Sequence, residues 1–189
     1  MDLYSSFKLV HVIAAMAWVG GGLTLIAQAI FRIREAGPRE VLEVTRNMGL
    51  LALRWFLPSS ALTLLSGLLM ALLGGLWTQA WIVLSLAGFA VTFLTGHFIL
   101  RVRGEKVFAL QTEGREHEAV QEALALIRVS KFDYAVVLMV VFLMVLKPQW
   151  NDPAVIGGIA AVIACAGLVF LLPPKRRSTP RAQGENASR

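Results

Sequence analysis

Two histidines of this chain, His11 and His97, fall inside long apolar runs, and their chemistry is the first thing to account for. An ionisable side chain in hydrocarbon is costly and marks a function by default. Histidines on facing helices are a common way to hold a haem b. Depth excludes that pairing here. His11 lies near the start of its run, whereas His97 lies seventeen residues beyond Ala80, about 25 Å along a helix. One iron cannot take both ligands within one chain. His11 stays open as the axial ligand of a haem on its own or with another partner, as a proton carrier, or as a packing residue. It is the one candidate metal ligand, and only as a ligand of haem iron.

Other chemistry-bearing residues sort by depth around these two. His11, Lys8, Trp18, Ser85 and Lys147 belong to one layer. There a shallow pocket would use His11 as ligand, Trp18 as wall and Lys147 as countercharge to an anionic group such as a propionate. The competing reading is that both lysines snorkel to the surface. His97, Asp133 and Tyr134 belong to the opposite layer. His97 and Asp133 are expected there as a hydrogen-bonded pair, or Asp133 caps the fourth helix. His117 sits in a polar stretch and reads as a solvated surface residue. Cys165, the single cysteine, excludes an internal disulfide and a cysteine-based cluster, and reads as a small buried packing residue. A copper transporter would gather several Met, His or Cys at one depth, and His11 with Met16 alone do not.

The elements that position these residues are apolar helices. The chain has 189 residues, 57% hydrophobic and 16% charged, against about 25% charged in soluble domains. Spans are expected at about 5–31, 55–77, 80–100, 132–148 and 154–172, each near the ~20 residues that cross a bilayer. The first has no basic cluster before it and is too long for a signal peptide, so it is expected to be retained. Residues 39–54 are amphipathic and should lie at the interface or extend the next helix. Residues 104–131 form a polar connector with one or two amphipathic helices. Residues 175–189 form a basic, disordered tail after the 1–174 membrane domain. Small and hydroxyl-bearing stripes, Ser60, Thr63, Gly67 and Gly74 on the second span and Ser85, Gly88, Thr92 and Gly96 on the third, read as helix-packing seams. On the first helix His11, Ala15, Trp18 and Gly22 share a face that would let a helix or a flat ligand approach closely.

Charge sets orientation. Of the 18 lysines and arginines, all but Lys8 and Lys147 fall in segments on one side of such a topology. The positive-inside rule makes that side cytoplasmic. The expected fold is an all-α polytopic transmembrane helix bundle, four core helices plus a fifth, with the N-terminus outside and the C-terminus cytoplasmic. The net charge of +6 is therefore topogenic, and no nucleic acid is expected. The partner is the lipid bilayer, with a homo-oligomer or a membrane complex as a further possibility, and the location is the bacterial cytoplasmic membrane.

The stretch Lys8-Leu9-Val10-His11 through Trp18-Val19-Gly20-Gly21 resembles the first helix of a broad group of small bacterial membrane proteins. The group includes HemJ-type protoporphyrinogen oxidases, the membrane part of CopD-like copper-resistance proteins, and an uncharacterised integral-membrane family, a domain of unknown function. Pro58…Thr63…Ser66-Gly67 resembles its second helix, and Val145-Leu146-Lys147-Pro148 the end of its fourth. The likeness covers about residues 5–150. For the HemJ-type members it implies a haem-associated oxidase using a histidine on helix 1 and a lysine early on helix 3. His11 carries over, but this chain has Ser85 near the place of the lysine. The uncharacterised family fits best and supplies no activity.

Two function classes follow. One is a redox-linked or haem-binding membrane protein acting through His11. The other is a non-enzymatic protein, either a small transporter or a scaffold subunit of a membrane complex.

Overall fold

The computed structural model describes residues 2–37 and 39–172. Among them it holds five helices long and apolar enough to cross a membrane, and no strand. They are α1 Leu3–Ala36, α2 Glu40–Leu73, α3 Ala80–Thr112, α4 Glu116–Leu146 and α5 Pro153–Leu171. The expected tail, 175–189, lies outside the described residues, as do Pro173 and Pro174. Asp2 caps α1: its carboxylate accepts the Ser5 N–H at 2.7 Å. The Ser5 side chain first, and this N–H second, hold the Asp2 carboxyl below its ordinary range.

The first four helices have 34, 34, 33 and 31 residues, about 46–51 Å at 1.5 Å per residue. The hydrocarbon core is about 30 Å thick. All four overshoot at the same end, the one that carries the arginines. Three of the helices run past the expected spans. The second begins at Glu40, before 55, the third runs on to Thr112, past 100, and the fourth begins at Glu116, before 132. The amphipathic stretch 39–54 thus extends its helix, and the reading of it as an interfacial segment is set aside. The cause is mutual burial. Val41 and Leu42 of α2, Val107 and Leu110 of α3, and Ala119, Ala123 and Ile127 of α4 close around Ala29 of α1 in one core. These apolar positions thereby share one core.

Ion pairs lace this end. Glu122, with its side chain 16% exposed, accepts from Arg103 at 2.6 Å and Lys106 at 3.1 Å, while Arg39 meets Glu116 at 3.0 Å.

Two of the four helices that cross from the membrane into this extension, α2 and α3, widen to a π-turn at the junction. In α2 the turn is Ala52–Phe56, with the Leu57 N–H bonded to the Ala52 carbonyl. Pro58 explains it: proline has no N–H for the Arg54 carbonyl, and its ring would collide with that oxygen. In α3 the turn is Thr95–Leu100, with the Arg101 N–H on the Gly96 carbonyl.

Within the membrane α1 packs chiefly on α2, and α3 chiefly on α4. Gly88 of α3 leaves room for Val140 of α4, since a β-carbon there would lie 2.6 Å from its methyl. α5 packs on α4 and buries none of its residues.

The half-buried Glu122 should matter more than an exposed pair. Replacing Glu122 with alanine strands two cations near the core and should cost about 1–2 kcal/mol, between the exposed and buried limits for ion pairs. Glu105→Ala, which removes the exposed partner of Arg101, should cost under about 0.5 kcal/mol. Thermal unfolding in detergent compares them, and equal Tm values for the two variants would contradict this.

Candidate functional site

The Nδ1 atom of His11 lies 2.8 Å from the backbone carbonyl oxygen of Thr63 on α2. A carbonyl only accepts, so Nδ1 carries the proton and donates. In the neutral ring that leaves Nε2 with a free lone pair, the arrangement in which a histidine serves as a metal ligand or proton acceptor. The imidazole fits against α2 because residue 67 is glycine: a β-carbon there would sit 3.0 Å from His11 Cε1 and 3.2 Å from Nδ1.

His11 borders a cavity of about 610 Å³ between the α1–α2 pair and the α3–α4 pair. The size falls in the ~300–1,000 Å³ range of cofactor and small-molecule sites. Its lining is almost wholly apolar. Trp18 and Phe89 meet beside it with ring centroids 5.5 Å apart, and Trp81, Met16, Met70 and Met144 also line it. Besides His11, one other polar group matters. Ser85 lines the cavity, is 2% exposed, and its hydroxyl has no hydrogen-bond partner. A helical serine normally bonds to a carbonyl of the preceding turn, as Ser66 and Ser130 do here. An unpaired buried hydroxyl costs free energy unless something else pairs with it.

The ends of the cavity are fixed by bonds to backbone. On the side of the arginines, the Tyr134 hydroxyl of α4 donates to the Val19 carbonyl of α1 at 2.6 Å, and the Trp55 indole of α2 donates to the Ala17 carbonyl at 3.1 Å. Gly21 and Gly22 make both approaches possible: β-carbons there would come within 2.8 Å of Trp55 and of Tyr134. At the opposite end the Trp150 indole donates to the Thr78 carbonyl at 2.9 Å. That bond ties the α4–α5 turn to the α2–α3 turn. Lys147, in a left-handed conformation with φ 47°, closes α4 there. Its ammonium stands 5.3 Å from the centre of Trp81, a cavity wall.

The structure thus brings His11, Trp18, Ser85 and Trp81 to one cavity, with Lys147 beside Trp81. It does not join the other expected pair. His97 is exposed and lies against Phe93 and Phe98, with centroids 6.2 and 4.9 Å away. Asp133 has a buried carboxylate oxygen with no partner. It sits in the middle of α4, so the capping reading is also set aside. The two share a depth but not a helix face. Cys165 is exposed rather than packed inside, on a helix that buries none of its residues. His117 is exposed, as expected. Among the described residues no group of three His, Cys, Asp or Glu could hold a metal ion.

Sequence reasoning missed the Thr63 carbonyl and read Gly67 only as part of a packing seam. The spacing Thr63, Ser66, Gly67 held the signal, a polar-and-small strip one turn long on an otherwise apolar helix.

Residues 5–148 match the model of a family described as a predicted integral membrane protein, DUF2269. The chain belongs to this family. No curated protein and no solved structure matches it. The matched region holds every cavity residue named above and stops before α5, so in this DUF2269 protein the site is complete within the first four helices.

Two glycine substitutions on neighbouring helices should have opposite signs. Gly67→Ala forces the imidazole off its seat and should cost about 1–3 kcal/mol, as overpacking does. Gly20→Ala meets nothing within 4 Å and should gain up to about 1 kcal/mol from helix propensity. Thermal unfolding reads both. The ¹⁵N chemical shift of His11 should report loss of the Nδ1–H form in the first variant only.

Proposed function

We propose that this protein is a redox-linked membrane protein that holds a haem b in the cavity beside His11, with His11 Nε2 as an axial ligand. The observation that carries the reading is the bond from His11 Nδ1 to the Thr63 carbonyl. It selects the tautomer whose other nitrogen is free to bind iron, and it holds the ring in place.

The residues present fit the group. The walls are apolar and aromatic, the volume suits a flat cofactor, and the thioethers of Met70 and Met144 border the space. A thioether can also hold a haem iron and raise its potential, so a methionine of this wall would be a second holding group. Lys147, beside Trp81, supplies positive charge for a carboxylate edge. The charge asymmetry of the chain supports placing this end outside the cytoplasmic membrane. A bound haem would supply one-electron redox chemistry. The chain itself positions His11 through Thr63 and Gly67, excludes water with Trp18, Phe89 and Trp81, and offers the Ser85 hydroxyl as a buried polar group without a partner on the wall.

Reduced-minus-oxidised visible spectra of the purified protein test this. Wild type should show haem bands. His11→Ala should lose them and regain them in part when imidazole is added to fill the vacated space. A colourless, well-folded wild type from haem-replete cells overturns the reading.

A further inference from the structure

We propose that the cavity opens sideways to the lipid between α1 and α4, and that its haem enters edge-on from the outer leaflet with its carboxylates held at the surface by Lys147. That the ligand is haem rests on the reading above, whereas the doorway rests on the structure alone.

The lining residues divide by helix. Those from α2 and α3 are buried, as Thr63, Ala71, Ile82 and Ser85 are, or half-buried. The exposed ones all come from α1 and α4. Met16 is 70% and Val12 46% exposed on α1, while Val145 is 73% and Val141 38% exposed on α4. A residue that both borders the cavity and faces outward marks a gap in the wall. These four lie on the two helices that face each other across it, inside spans apolar enough to be in hydrocarbon. The gap ends where α1 and α4 touch, at the contact of Gly22 with Tyr134 and the Tyr134–Val19 bond.

The chemistry of the opening selects the ligand. Its sides are aliphatic, so a water-dissolved solute gains nothing by passing through it. A membrane-dissolved molecule with a broad apolar body does. The buried, unpartnered Ser85 hydroxyl points to a ligand and not to a void, because an empty apolar space leaves that group unpaired. Lys147 adds a requirement at the rim: positive charge beside Trp81 favours a ligand whose one edge is anionic and stays at the headgroup level. An apolar plate with carboxylates along one edge meets all three conditions.

Single cysteines test the doorway. In a Cys165→Ser background, Met16→Cys and Val145→Cys are labelled with a bulky maleimide. Leu65→Cys, exposed but outside the lining, is the control. Haem uptake from phosphatidylcholine vesicles preloaded with haemin is followed by absorbance. Labels at positions 16 and 145 should slow uptake at least tenfold with the same end point, and the label at 65 should leave it unchanged. Equal rates at all three positions overturn the proposal, as does a lowered end point with an unchanged rate. If the unlabelled protein never takes up haem, the cofactor reading has failed, and the doorway is judged separately with nitroxide-labelled phosphatidylcholine. The fluorescence that disappears in the Trp18→Phe/Trp81→Phe variant should then be quenched in unlabelled protein and protected by the label at position 16. Quenching that the label does not change overturns the doorway as well.

Discussion

A polar group in hydrocarbon has no water to turn to, so it bonds within the protein or stays unpaired. Along α1 this constraint decides how the bundle assembles. His11 donates to a carbonyl of α2, while Trp55 of α2 and Tyr134 of α4 each donate to a carbonyl of α1. Those acceptors are already in helical ladders, and a carbonyl oxygen has a second lone pair to give. Three side chains are thereby satisfied without breaking α1, and the same three bonds set which helices lie beside it. The run Gly20-Gly21-Gly22 is what lets the rings come close enough, at two of its three positions. Lipid tails are as apolar as the helix faces, so association here depends on close van der Waals fit and on such bonds more than on the hydrophobic effect.

At the basic end the balance reverses. There the helices leave the hydrocarbon, water returns as the competitor, and apolar burial again drives packing. That is where the largest buried cluster lies, built from Ala29, Val41, Val107, Ala119 and their neighbours. It clamps the ends of α1 to α4 together, and the two π-turns sit where one regime gives way to the other. With one end clamped and a bonded contact at Gly22–Tyr134, the two helix pairs are free to stand apart beyond it, and the cavity occupies that space.

Much of this was legible in the sequence, and the failures have two causes. Hydropathy located five spans, charge ordered them, and the motifs around His11 and Lys147 reached nearly the residues that match the family, about 5–150 against 5–148. Depth along a helix can be read by counting, and of the expected layer His11, Trp18 and Ser85 border one cavity. Azimuth cannot be read in the same way when a helix is apolar all round. His97 and Asp133 share a layer, yet His97 is turned outward against two phenylalanines. Cys165 fails for the same reason, on a helix with no wet side to fix its rotation. The extended helices at the basic end were misread for a different reason. An amphipathic segment has the same pattern whether its apolar face meets lipid or three other such segments, and one sequence does not say which.

A space of about 610 Å³ in a membrane bundle has energetic consequences of its own. In water, an apolar void is held closed by the cost of exposing its walls. In lipid that cost is absent, and what the void forfeits is contact: atoms lining it have no partner on one side. Helix association in the bilayer rests largely on such contacts, so an unfilled cavity weakens the union of the α1–α2 and α3–α4 pairs. Whatever occupies it restores contacts to both pairs at once and bonds the stranded Ser85 hydroxyl. Ligand and stability are therefore linked: a molecule that binds the assembled bundle and not its separated halves stabilises it in proportion to the logarithm of its free concentration over Kd. The opening between α1 and α4 belongs to the same logic. A closed cavity would demand separation of the helices for each exchange, whereas a gap lined by Met16 and Val145 lets the clamp at the basic end and the Tyr134–Val19 bond stay intact while the ligand passes.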